Sequence, residues 1–202
     1  MQPFSTVTGV AAALPAANVD TDVIMPKQFL KGVDRSGLGL GVFHDLRFDS
    51  HGAERAAFVL NRPPWRQASF LVVGPNFGCG SSREHAVWGL GQLGIRALIG
   101  TSFAGIFFDN CARNGLLGIA LDEASVRRIS DLASDPSTCE FTVDLLGQRI
   151  QLPDGSSVGF DIEPGRKQAL ALGLDAVGVT LHDRAAITSF QQSYLAENPW
   201  LA

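Results

Sequence analysis

Residues 69–93 constrain the fold more than any other stretch. They read Ser-Phe-Leu-Val-Val-Gly-Pro-Asn-Phe-Gly-Cys-Gly-Ser-Ser-Arg-Glu-His-Ala-Val-Trp-Gly-Leu-Gly-Gln-Leu. Residues 70–73 form a short apolar, β-branched run stopped by Gly74-Pro75, the pattern of a buried strand. Asn76, Gly78 and Gly80 supply a backbone free to take positive φ. Ser81 and Glu84 stand three apart, the spacing of a capping box, which predicts a helix beginning there. Ala86, Leu90 and Leu93 give that helix an apolar face, with Trp88 beside it. A helix start presents unpaired N–H groups and the positive end of its dipole, so after glycines it is a ready anion site. Arg83, read as lying in the first turn, adds a bidentate grip on a carboxylate or phosphate.

The flanking segments repeat the alternation. Residues 95–99 read as a second strand, so strand, helix and strand make a βαβ unit whose strands run parallel. Ser102 is the expected cap of a helix over 103–113, ended by Asn114-Gly115. A third strand is expected over 116–121 and an amphipathic helix over 123–133. The texture then changes: 141–145 and 149–152 read as a β-hairpin, and 158–162 as a further strand. Residues 163–172 and 182–196 read as helices, with Gly173 to Gly178 between them as a connection. Nearer the start, residues 4–13 read as a strand. Asp20 and Asp22 flank Thr21 as either Asx caps or a carboxylate at a site edge, and the glycine-rich 31–41 stretch reads as a loop. The fold class expected is α/β, a parallel core sheet with helices plus an antiparallel β addition, in one domain of 202 residues.

Composition narrows the functions. A net charge of −4 argues against general nucleic-acid binding. No secretory leader pattern and no apolar run of about 18 residues is present, which argues against a membrane role. Cys79, Cys111 and Cys139 are odd in number and far apart, with no C-x-x-C or zinc spacing, so the expectation is a cytoplasmic protein with reduced thiols and no metal of its own.

Known phosphate and nucleophile motifs fail. Gly78-x-Gly80 continues to Arg83 rather than glycine, and neither a P-loop nor a G-x-S-x-G elbow occurs. Cys79 ahead of a helix start could be a nucleophile, but a small packed residue is the more economical reading without an assigned histidine partner. His85 reads as packed. Ser81 could be only a cap; the glycines before it and the arginine after it would also stabilise its alkoxide.

Gly78-Cys-Gly-Ser-Ser-Arg-Glu-His-Ala resembles the signature of the aconitase superfamily's swivelling β/β/α domain, and specifically that of the 3-isopropylmalate dehydratase small-subunit family. Further segments resemble that family in the same order: 18–31 (Asn-Val-Asp-Thr-Asp-Val-Ile-Met-Pro-Lys-Gln-Phe-Leu-Lys), 102–118 and 166–181. Gly105, Gly118 and Gly165 depart from the family's pattern at positions outside the Ser81–Arg83 core.

The resemblance implies a half-enzyme of leucine biosynthesis, a hydro-lyase that isomerises 2- and 3-isopropylmalate by dehydration and rehydration. It implies a separate large subunit carrying a [4Fe–4S] cluster, with no cofactor on this chain. By the same resemblance Ser81 is the base that removes the proton α to a carboxylate, and Arg83 grips a substrate carboxylate. Asp22 lies at the site edge, and Ser82 and Lys31 join the substrate-binding set. The loop after the N-terminal motif helps to choose the substrate side chain. Two other readings stay open: a related hydro-lyase of the citraconate or homoaconitate type, and a non-catalytic anion-binding module.

Overall fold

Ala68–Val73 (β2) is apolar apart from Ser69 because the chain covers it on both faces. Leu71 and Val73 point into one apolar layer, and Phe70 and Val72 into another. The computed structural model describes residues 1–31 and 35–201, so readings placed on Gly32, Val33 and Asp34 in the 31–41 loop fall outside the described residues.

The chain begins with β1 (Thr6–Leu14), followed by two single-turn helices, α1 (Thr21–Ile24) and α2 (His44–Arg47). After β2 come α3 (Glu84–Gln92), β3 (Ala97–Gly100), α4 (Gly105–Arg113), β4 (Leu117–Ala120) and α5 (Glu123–Ser134). The antiparallel addition is β5 (Glu140–Asp144), β6 (Arg149–Gln151) and β7 (Ser157–Gly159). Three helices close the chain: α6 (Pro164–Leu172), α7 (Ala176–His182) and α8 (Arg184–Glu197).

All seven strands form one sheet in the order β4-β3-β2-β1-β5-β6-β7. The first four run parallel, with Phe70 beside Ala11 on one side and Ala97 on the other. The change of direction falls between β1 and β5, where Thr6 pairs with Asp144. The sheet separates two layers. Ile24, Met25, Phe77, Ala86, Leu90 and Phe107 fill the first, on the side of α1, α3 and α4. Val126, Ile129, Phe141, Ile150 and Leu170 fill the second, on the side of α5 and α6.

Two expected caps are not made. α3 has Arg83 at its N-cap position and α4 has Ala104, and neither receives a side-chain cap bond. Ser102 instead accepts a hydrogen bond from the Asn76 amide at 2.9 Å. The energetics explain how both helices form regardless. Burying one side chain such as Leu90 or Phe107 is worth about 1.5–3 kcal/mol, whereas a cap is worth about 1 kcal/mol. The connection expected over 173–178 is in part the start of α7, whose N-cap Asp175 accepts from the Gly178 amide at 2.7 Å. α7 and α8 contain no buried residue, and Val177, Leu181, Phe190 and Trp200 are exposed.

Candidate functional site

Because β1, β2 and β3 are parallel, the loops that leave them emerge on one edge, the edge where open α/β sheets bind ligands. The loop after β2 lies between the other two and is fastened to both. On one side the Gly78 amide donates to Val19 O at 2.8 Å, and the Thr21 amide to Cys79 O at 2.9 Å. Asn76 Nδ2 donates to Asn18 Oδ1 at 2.8 Å. On the other side the Ala104 amide donates to Phe77 O at 3.0 Å.

Two glycines make this route possible. Gly78 has φ +77° and Gly80 has φ +87°, in the left-handed region that disfavours side chains. At Gly78 a Cβ would also stand 2.2 Å from Cγ of Phe107, so the turn and α4 can touch only because that side chain is absent.

The capping-box reading of Ser81 is overturned by the same arrangement. Helix α3 begins at Glu84, so Glu84 occupies the first helical position rather than the third, and Ser81 lies outside the helix. Its backbone is held instead by Thr21, a buried residue whose Oγ1 donates to Ser81 O at 2.7 Å. Ser81 and Ser82 are both exposed to solvent. Beside them the Arg83 side chain is only 13% exposed and pairs with the Asp22 carboxylate, which is 43% exposed. The Arg83 hydrogen bond is the main cause that holds the Asp22 carboxyl below its usual range. Desolvation opposes it, and the charges of Arg83 and Lys27 reinforce it.

The structure therefore brings Asp22, Ser81, Ser82 and Arg83 together. Lys31 lies at the end of a short 3-10 turn (Lys27–Leu30), exposed, with no hydrogen bond or ion pair to any of the four among the described residues. Asp20 takes the capping role considered for it, accepting from the Val23 amide at 2.8 Å, which leaves Asp22 for Arg83. Thr21 is the residue holding the turn that reading the sequence passed over. Its one signal is a hydroxyl placed between the two aspartates, and its partner lies sixty residues on.

Other candidates resolve differently. His85 packs its ring against Trp88 with centroids 4.8 Å apart, as expected of a packed residue. Cys79 is half-buried, and burial pushes the thiols of Cys111 and Cys139 up. Among the described residues, no group of three or more His, Cys, Asp or Glu is placed to hold a metal ion, so these side chains do not fit a cluster. Gly118 abuts the Phe108 ring, Gly165 follows the Glu163 cap of α6 and Gly105 opens α4; none enters the Ser81–Arg83 turn.

Chemically, the site offers an exposed hydroxyl on a preorganised turn, next to a guanidinium largely withdrawn from water. A guanidinium has five N–H donors. Asp22 is the only side chain paired with Arg83 among the described residues, which leaves donors for a second carboxylate.

The chain is similar to known proteins along its length. The aconitase C-terminal domain family matches residues 1–124. The chain is 57% identical over 201 residues to "3-isopropylmalate dehydratase small subunit 1" of Mannheimia succiniciproducens, covering 100% of this chain and 99% of that one. It is 50% identical over 201 residues to the 3-isopropylmalate dehydratase small subunit of Paramagnetospirillum magneticum, with 100% of each covered. A crystal structure of 3-isopropylmalate dehydratase from Methanocaldococcus jannaschii superposes with a TM-score of 0.67 at 26% identity, covering 92% of this chain and 99% of that chain.

Proposed function

Because the chain belongs to the aconitase C-terminal domain family, among the 3-isopropylmalate dehydratase small subunits, we propose that it is one half of a hydro-lyase that interconverts 2- and 3-isopropylmalate in leucine biosynthesis. The observation that carries the reading is the Ser81 hydroxyl, exposed on a glycine turn beside the Asp22–Arg83 pair. Arg83 binds a substrate carboxylate through the donors that Asp22 leaves, and Asp22 fixes the plane of the guanidinium. Ser82, exposed next to Ser81, adds a further hydroxyl to the same anion in this reading. Lys31 contributes positive charge from the loop that follows α1.

Ser81 acts as base. Its alkoxide takes the proton from the carbon next to a carboxylate, the C–H electron pair forms the double bond, and the C–O bond on the neighbouring carbon breaks with its electron pair on oxygen. The departing hydroxide and the proton taken by Ser81 together make up the water lost. Rehydration runs the same steps backwards with the hydroxyl placed on the other carbon. Arg83 and the backbone N–H groups of the turn favour the charged form of Ser81, and closure against a partner strengthens them by excluding water.

The partner in this reading is the large subunit. A [4Fe–4S] cluster held by that subunit would supply the Lewis acid for the departing hydroxyl. Residues 1–202 act as one swivelling domain closing over it in the cytoplasm. An exposed catalytic serine supports a site completed by another chain, as do the uncovered Val177, Leu181, Phe190 and Trp200.

The test is anaerobic reconstitution. Mixed with the cluster-loaded large subunit of its own organism, the chain should convert 3-isopropylmalate to the unsaturated acid, with neither subunit active alone. Assembly without turnover of 3-isopropylmalate would overturn the substrate assignment and move it to the citraconate or homoaconitate type. Failure to assemble would overturn the half-enzyme itself and leave an anion-binding module.

A further inference from the structure

A second basic site lies away from the Ser81 turn. A cavity of about 430 Å³ opens between α3, the end of α4 and the start of the chain. That volume falls within the range of roughly 300–1,000 Å³ typical of small-molecule sites. Arg35, Arg96 and Arg113 line it, with Trp88 in the wall and Asp175 as the only acidic residue among the described ones. Three cations against one carboxylate is a local reversal in a chain of net charge −4.

Asp175 is already engaged, since its carboxylate caps α7 through the Gly178 amide. Among the described residues no carboxylate pairs with these cations. The Arg113 side chain makes no ion pair or hydrogen bond there. Arg96 is half-buried, donates from Nη2 to Pro3 O at 2.9 Å and has no carboxylate partner among the described residues. Burial lowers its pKa, the mark of a charge held away from water without a counter-charge. Arg35 lies over the Trp88 ring at 4.0 Å, which holds its guanidinium at the cavity wall. The rest of the wall is fixed: Trp88 Nε1 donates to Asn114 Oδ1 at 2.8 Å. A cleft lined by one sign of charge focuses its field on a counter-ion.

We propose that this cavity is an anion-binding site, separate from the Ser81–Arg83 turn, that takes a small molecule bearing a phosphoryl or carboxylate dianion between Arg96 and Arg113. Arginine forks suit both groups, because each presents paired oxygens to parallel N–H donors.

The experiment uses the full chain, with inorganic phosphate and malonate as the two probes. Binding is followed by calorimetry and by the fluorescence of Trp88. Saturable, one-to-one binding of at least one probe is expected, and the tighter of the two identifies the preferred group. Arg113→Ala should raise the dissociation constant about tenfold or more, the loss of one charged hydrogen-bonding partner. Arg113→Lys tests the fork should the alanine variant fold poorly, and it should weaken binding while keeping the charge. Trp88→Phe should remove the fluorescence change and leave the calorimetric signal. Absence of saturable binding by both probes overturns the site. So does binding that Arg113→Ala and Arg113→Lys leave unchanged, because the anion would then be held elsewhere, at Arg83 first of all.

Discussion

Helices α3 and α5 each follow a parallel strand, yet they begin in opposite ways. The start of α5 is closed by its own acid: Asp122 accepts from the Ser125 amide at 2.9 Å and from Ser125 Oγ at 2.7 Å. Those bonds hold the Asp122 carboxyl below its usual range, and Glu123 adds a second negative charge to the first turn. The start of α3 also carries an acid in its first turn, Glu84, but no side chain caps it. Its N-cap residue is an arginine, and the nearby serine points its chemistry outward rather than back onto the helix. A helix start filled by its own side chain gains stability and gives up a ligand. The one at α3 is kept open, and its stability comes from packing instead.

Substitutions can break that contrast. The largest effect belongs to Ser81→Ala, which should lower turnover of the assembled enzyme by about 10²–10⁴-fold, the usual span for losing a general base. Its circular dichroism should match the parent, because Thr21 holds the backbone carbonyl and not the hydroxyl. Wild-type turnover would remove Ser81 from the reaction.

Gly78→Ala comes next and attacks the packing that replaces the cap. The left-handed φ and the clash with Phe107 together should cost roughly 2–5 kcal/mol, read as a shift in the denaturation midpoint. Little change would show that Phe107 moves aside freely.

Arg83→Lys should raise the Michaelis constant by about tenfold to a hundredfold, since a point charge cannot serve Asp22 and a substrate carboxylate in one plane. An unchanged constant would detach Arg83 from the substrate.

Asp122→Ala is the control from the other helix. It should cost about 1 kcal/mol, seen as a fall of roughly 2–4 °C in the melting temperature, with kcat/KM untouched. A loss of activity there would erase the distinction between the two helix starts.

The smallest effect is that of pH on the Asp22–Arg83 pair. The carboxyl is depressed in the folded chain, so its contribution is complete above the unfolded value near 3.8 and is lost as pH falls through the folded value. A carboxyl titration by NMR should place the Asp22 midpoint below 3.8. A midpoint at or above it would mean that the pair is not formed in solution.

Much of this fold could be read from the chain because local pattern and tertiary environment agree. The apolar run at 70–73 is a strand covered on both faces, and the expected hairpin appears as β5 and β6. The 103–113 helix ends as expected, with Gly115 at φ +84°. The errors fall where a side chain had two possible partners. A serine before a helix looks the same whether it caps that helix or accepts from Asn76, as Ser102 does from twenty-six residues away. Ser81 was ambiguous for the same reason, since Thr21 fixes it from a distant segment. Gly173 and Gly178 made the start of α7 read as a connection, although Gly173 is the left-handed stop of α6 and Gly178 lies inside the next helix, within reach of its Asp175 cap. The Asp22–Arg83 pair and the arginine cavity had no local pattern, because each joins segments far apart in the chain.

The division of the apolar interior by the sheet has a consequence for how variation accumulates. Every segment that builds the Ser81 turn packs into the layer of α1, α3 and α4, while α5 and α6 sit across the strands. Side chains more than about 7–10 Å apart with no shared partner perturb stability nearly independently. The far layer can therefore drift, or be redesigned, with its effects summing rather than multiplying with changes at the turn. Epistasis should concentrate on the near side, among Met25, Phe77, Gly78 and Phe107, where one side chain's volume decides whether its neighbour fits.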